Sequence, residues 1–167
     1  MIDERDKVSA REVISSKKSK KLFFYLWVIK NWFIDRFAAV APVPSWRVWL
    51  HRLKGINIGK NVYIGYYVIF DRIYPEEITI EDYVEIGDRT IISAHQRGSL
   101  VNRDNYPREI KPVTIKKGAW IMPSCIIVPG VSIETMSIVA TGSVVTKNVP
   151  AYELWAGVPS KKLKSLK

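Results

Sequence analysis

Between Gly55 and Pro150 the chain repeats itself every six residues. Isoleucine or valine stands at Ile58 and Ile64, at Ile80, Ile86 and Ile92, and at Ile115, Ile121, Ile127, Ile133, Val139 and Val145. A small or β-branched residue follows four positions later at Val62, Val68, Val84, Thr90, Ala119, Cys125, Val131, Ser137, Ser143 and Val149. Six suits neither the 3.6-residue turn of an amphipathic helix nor the two-residue alternation of a strand. It suits a short strand and a turn repeated, the signature of a parallel β-helix. The aliphatic residue points inward and stacks on its equivalent one coil away, about 4.8 Å along the axis. The small residue lies near a corner, and Gly, Asn and Asp at IGKN and IGDR supply turn conformations.

Three sides of six residues make a coil of 18. Ile115 to Ile133 is one such coil, and Ile58 to Ile80 is 22 residues, leaving four extra around Tyr74–Glu77. Ile80 to Ile115 is 35 residues, so seventeen must leave the prism as a projecting loop. The division expected is a basic, aromatic-rich helical extension over 1–54, the β-helix over 55–150 with loop 96–111, and a short basic tail over 151–167.

The 167 residues favour one domain, and the charge is uneven along it. Residues 1–57 carry 12 Lys/Arg against 5 Asp/Glu, residues 58–150 carry 10 of each, and the last seventeen carry 4 Lys against 1 Glu. A nucleic-acid binder spreads basic residues over its main surface, so the neutral middle argues against one. Cys125 is the only cysteine. No internal disulfide or cysteine zinc pair is therefore expected, in keeping with a reducing, cytoplasmic setting. Met1 is followed by a charged stretch, which does not read as a signal peptide.

The segments INIGKNVYIG, ITIEDYVEIGDRTIISAH, KPVTIKKGAWIMPSCIIVPGVSI and ATGSVVTKNVPAYELWAGVPSKKLK resemble the hexapeptide-repeat acetyltransferases, the family of maltose, galactoside and xenobiotic acetyltransferases. The lead-in PVPSWRVWLHRLKGINIG is similar to that of members decorating cell-envelope polysaccharides. The resemblance implies an all-β, left-handed parallel β-helix, a homotrimer with active sites between neighbouring prisms, and acetyl-CoA as acyl donor. It implies O-acetylation of a saccharide hydroxyl.

Acyl transfer from a thioester to a hydroxyl needs a base for the hydroxyl proton and donors for the oxyanion. The chain has two histidines, His51 and His95. His51 lies in the lead-in, before the repeats, and reads as a residue with no catalytic role. His95 ends IISAH where the loop departs, a natural place for catalysis, and it falls where the resemblance puts the catalytic histidine. Glu85, Asp88 and Asp104 are candidates to orient it. The resemblance places Trp120, Thr141, Thr146, Lys147, Lys161 and Lys164 along the coenzyme groove, and the lysines suit phosphates. Arg97, Asp104, Asn105 and Tyr106 in the polar loop suit a sugar acceptor. Transfer through a ternary complex needs no covalent enzyme intermediate, so Cys125 belongs to the coil interior.

N-acetylation of an amino sugar or another amine would use the same fold and base. A non-catalytic scaffold would not need His95 or the Thr146–Lys147 pair. A metal enzyme on this helix would need several histidines in the coils, and only His95 is there. Residues 17–37, KKSKKLFFYLWVIKNWFIDRF, read as a helix too interrupted by charge to span a membrane. Its two readings are peripheral contact with an anionic membrane surface, and packing on the prism end or a neighbouring subunit.

Overall fold

The computed structural model describes residues 18–97, 100–102 and 104–167. Two helices, α1 (Lys18–Val40) and α2 (Pro44–Lys54), precede a stack of two- and three-residue strands. The strands form three faces, parallel apart from the last strand of the second. The first holds Asn57–Ile58, Ile78–Ile80, Val113–Ile115 and Ser132–Ile133, and the third holds Ile69–Phe70, Ile91–Ile92, Ile126–Ile127 and Val144–Val145. Tyr63–Ile64, Glu85–Ile86, Trp120–Ile121, Ile138–Val139, Glu153–Gly157 and Ser160–Ser165 make the second.

The six-residue period becomes the register. Ile58 pairs with Ile80, Ile80 with Ile115 and Ile115 with Ile133. Ile64, Ile86, Ile121, Val139 and Trp155 form the second row, and Phe70, Ile92, Ile127 and Val145 the third. From Ile64 to Val145 these inward side chains are at most 1% exposed. Phe70 takes an inward place because its ring fills the first coil, where an aliphatic pattern alone overlooks it. The four extra residues of the first coil sit in a 3₁₀ turn at Pro75–Glu77.

The corner geometry differs from expectation. The left-handed residue is the third after most inward ones: Asn61, Tyr67, Tyr83, Arg89, Ser124 and Met136 have φ between 54 and 62°. Gly59, Gly65 and Gly87 serve another end, the close approach of coils. A Cβ on Gly87 would lie 2.5 Å from the Pro123 nitrogen, which no packing can relieve.

In each coil the N–H after the inward residue donates to the inward carbonyl of the next coil, as Gly59 does to Ile80, Gly65 to Ile86 and Asp71 to Ile92. The first coil's own carbonyls therefore have no coil beneath them. The α2 helix, laid across that open end, answers with cations. Arg52 donates to Ile58 and Gly59, Arg47 Nε to Ile64 at 2.6 Å, and Lys54 Nζ to Phe70 at 3.1 Å. Arg47 also binds the Ala41 carbonyl at 2.6 Å and lies over the Tyr66 ring, while Lys54 pairs with Asp35 of α1 at 2.7 Å. An open sheet edge is thus closed by side chains acting as surrogate backbone donors.

The consequence is a helix with its polar side inward. Arg47, Val48, His51 and Lys54 are buried, and Trp46, Trp49 and Leu53 are exposed. His51 packs edge-on against Phe70. Burial, then Lys54 and Arg47, lowers its pKa to about 3, so it is a neutral packing residue at physiological pH.

At the other end, the stretch read as a tail is a β-hairpin. Glu153–Gly157 pairs parallel with Ile138–Val139, and Ser160–Ser165 folds back antiparallel on it. Lys162 is held by Glu153 at 2.6 Å.

Candidate active site

His95 stands at the corner between the third and first faces, on a two-residue strand (His95–Gln96) that pairs antiparallel with Glu109–Ile110. This short ladder closes the base of the projecting loop. It is tied further by Gln96 Nε2 to Glu109 at 2.9 Å and by the Lys111 N–H to the Ala94 carbonyl at 2.9 Å.

None of the three acidic candidates orients His95. Glu85 is exposed on the second face, Asp88 accepts from the Tyr66 N–H at 2.8 Å at a different corner, and Asp104 is exposed in the loop. The partner is Asp71. Its Oδ2 lies 2.6 Å from His95 Nδ1 and also accepts from the N–H groups of Ala94 (2.8 Å) and His95 (3.1 Å). Oδ1 accepts from the N–H groups of Ile73 and Tyr74 at 2.9 and 3.0 Å. Burial alone would push the Asp71 carboxyl up, but these donors, His95 foremost, hold it well below the usual carboxylate range. A carboxylate at this site can only accept, so Nδ1 of the neutral ring carries the proton and Nε2 keeps its lone pair. The ring is held edge-on to Tyr74 with centroids 5.5 Å apart, and the Arg108 guanidinium lies over the Tyr74 ring, 5.0 Å from its centre. The His95 side chain is 19% exposed and that of Asp71 wholly buried. The arrangement is an accessible imidazole base on a fixed carboxylate.

Among the loop residues, Arg97, Asp104, Asn105 and Tyr106 are exposed. Asn105 bonds to Asn102, and none of these four side chains bonds to the His95–Asp71 pair.

The six residues assigned to the coenzyme fall in separate places. Thr146 and Lys147 share the His95 corner two coils along, where Ser93, Val128 and Thr146 stack in successive layers. Trp120 is on the outer side of the second face, in the row Trp120, Ile138, Leu154, Lys164, with Lys161 two pairs further along the same hairpin. Thr141 is exposed at the corner between second and third faces. In a three-sided prism the second face is opposite the His95 corner, so one chain does not bring all six to the histidine. Cys125 is buried and its Sγ is 3.2 Å from the Ala140 carbonyl; burial pushes the thiol pKa up. No group of His, Cys, Asp and Glu among the described residues has the makings of a metal site.

No family model matches the chain. Curated relatives do. The galactoside O-acetyltransferase of Escherichia coli is 29% identical over 141 residues, covering 79% of this chain and 66% of that protein. A putative colanic acid biosynthesis acetyltransferase of the same bacterium is 29% identical over 136 residues, covering 69% of this chain and 72% of its own length. A hexapeptide-repeat acetyltransferase of Vibrio cholerae superposes with a TM-score of 0.72 at 26% identity, over 87% of this chain and 93% of that one. In sequence and in fold the chain is similar to the hexapeptide-repeat acetyltransferases. A structure of the same Vibrio cholerae protein complexed with acetyl-CoA shares this fold at 21% identity (TM-score 0.69, covering 92% of each chain).

The residue that sequence reasoning missed is Asp71. The signal was present in the register. Phe70 pairs with Ile92, so Asp71 lies one layer beneath Ser93 at the corner that carries His95. It is 24 residues from the histidine along the chain and adjacent to it in space.

Proposed function

We propose that the chain transfers an acetyl group from acetyl-CoA to a saccharide hydroxyl, with His95 as general base and Asp71 as the residue that positions it. The observation that carries this reading is the 2.6 Å bond from His95 Nδ1 to a buried, ionised Asp71. It fixes the tautomer and leaves Nε2 free to take a proton. As the acceptor oxygen attacks the thioester carbonyl, its proton passes to Nε2 and Asp71 stabilises the imidazolium. The tetrahedral oxyanion then collapses, the carbon–sulfur bond breaks, and the imidazolium returns the proton to the departing thiolate. Cys125, buried and with its thiol pKa raised, takes no part.

The donor would lie against Trp120, Thr141, Thr146, Lys147, Lys161 and Lys164, and the acceptor against Arg97, Asp104, Asn105 and Tyr106. We take the prism to be left-handed and the active form to be a homotrimer. The separation of Trp120 and Lys164 from the His95 corner supports a site shared between neighbours. In this reading residues 1–54 are an extension whose described part, 18–54, caps the prism, 55–150 carry catalysis, 151–167 serve the donor, and the enzyme works in the cytoplasm.

The test is thiol release from acetyl-CoA across a panel of sugars, lipid-linked glycans and amines. Sugar-dependent release supports O-acetylation; release with amines alone moves the reading to an N-acetyltransferase. A protein that fails to bind acetyl-CoA would be a scaffold.

A further inference from the structure

The two helices before the prism are built inside out. The α1 face packed on the protein carries Asn31, Ile34, Asp35 and Ala38, including a buried asparagine and a carboxylate paired to Lys54. Its opposite face runs Leu22, Leu26, Ile29, Phe33, Phe37, Val40, a stripe at helical spacing, and every one of these side chains is at least half exposed. The α2 helix repeats the pattern, because its cations are spent on the first coil's carbonyls and Trp46 and Trp49 are left outside. The stripes meet in a groove of about 470 Å³ between the end of α1 and α2, lined by Phe37, Val40, Trp46, Trp49 and their neighbours. Capping explains why the cations point in. It does not explain why the outside of both helices is tryptophan, phenylalanine and leucine rather than lysine and glutamate.

We propose that this helical face docks the protein on an anionic lipid bilayer, lying in the interface without crossing it. Two observations select lipid over a second copy of the chain. The first is charge: residues 1–57 carry 12 Lys/Arg against 5 Asp/Glu, with Lys17, Lys18, Lys20 and Lys21 adjoining the stripe in sequence. That excess repels its own copy and is attracted to acidic headgroups, at about 1 kcal/mol per basic residue near the surface. The second is composition, since Trp32, Trp46 and Trp49 are exposed beside the aliphatic stripe, the amphipathic rings that settle at headgroup depth. No described helix is long and apolar enough to cross a membrane, which leaves the interfacial mode. The inference stands apart from the acetyl-transfer reading and would hold for a scaffold too.

The experiment is co-sedimentation of the full chain with phosphatidylcholine vesicles containing 0 or about a third phosphatidylglycerol, at low and high salt. It is paired with the sedimentation velocity of the free protein. The wild type is expected to pellet with the anionic vesicles, at least tenfold better than with neutral ones. The triple variant Phe33→Ser, Phe37→Ser, Trp46→Ser should lose at least tenfold of that binding while keeping its oligomeric state and its far-ultraviolet spectrum. A Lys17, Lys18, Lys20, Lys21→Gln variant, which leaves the stripe intact, should lose the preference for anionic vesicles. Absence of binding to anionic vesicles at low salt overturns the proposal. So does a triple variant that dissociates the oligomer, which would make the face an interface between copies.

Discussion

At the scale of single residues, the two histidines show how burial decides a role. His95 keeps its exposed edge and gains a carboxylate; His51 is enclosed beside two cations and stays neutral. Asp71→Asn should keep the fold yet lower kcat at least tenfold, with the acetyl-CoA KM within about twofold, because the amide no longer holds the imidazolium. Steady-state thiol release checks it. The two titrations have opposite chemistry and the same sign. Asp71 ionises more readily folded than unfolded, so its contribution is complete above about pH 4 and is lost as pH falls below that. His51, lowered from 6.5 to about 3, binds its proton only once unfolded, so its cost to the folded state begins below pH 6.5 and grows down to about 3. Denaturant unfolding between pH 4 and 7 should therefore show stability falling with pH, and His51→Asn should flatten the slope. A slope unchanged by that substitution would contradict the burial argument.

At the scale of elements, the repeat was legible because each strand is only two or three residues long and its inward residue is set by packing alone. Ile80, Ile115 and Ile133 could be placed on one face by counting. Phe70 was missed because it breaks the aliphatic rule while keeping the spacing, and with it went the register step that leads to Asp71. The hairpin over 153–165 was hidden because its outer strand, SKKLKS, is exposed from Lys161 onward and reads as a solvated tail. The polarity of α2 was hidden for a different reason: amphipathic patterning assumes apolar residues face the protein, and here the protein surface beneath is a row of carbonyls. Lys54→Met should cost about 1–3 kcal/mol, since it leaves the Phe70 carbonyl without its donor and the Asp35 carboxylate with the Arg72 guanidinium at 3.8 Å. Gly87→Ala should also destabilise, by about 2 kcal/mol or more, through the clash with Pro123. Thermal or denaturant melts monitored in the far ultraviolet measure both.

At the scale of the whole molecule, the prism places the His95–Asp71 pair at one corner and its basic hairpin on the opposite face. A site shared between subunits follows if both serve one reaction. Mixing two inactive proteins tests this. After subunit exchange, His95→Ala combined with a Trp120→Glu, Lys164→Glu variant should regain a fraction of wild-type activity, because some interfaces receive both intact halves. Mixtures that stay inactive after proven exchange would place the whole site in one chain.

The most direct measurement is acetyl-CoA thiol release with an accepted sugar, comparing wild type with His95→Ala. With His95 as the base, kcat falls about a hundredfold or more and acetyl-CoA binding is retained. A variant that turns over at the wild-type rate would show that His95 is not the base, and the Asp71 pair would then be structural only.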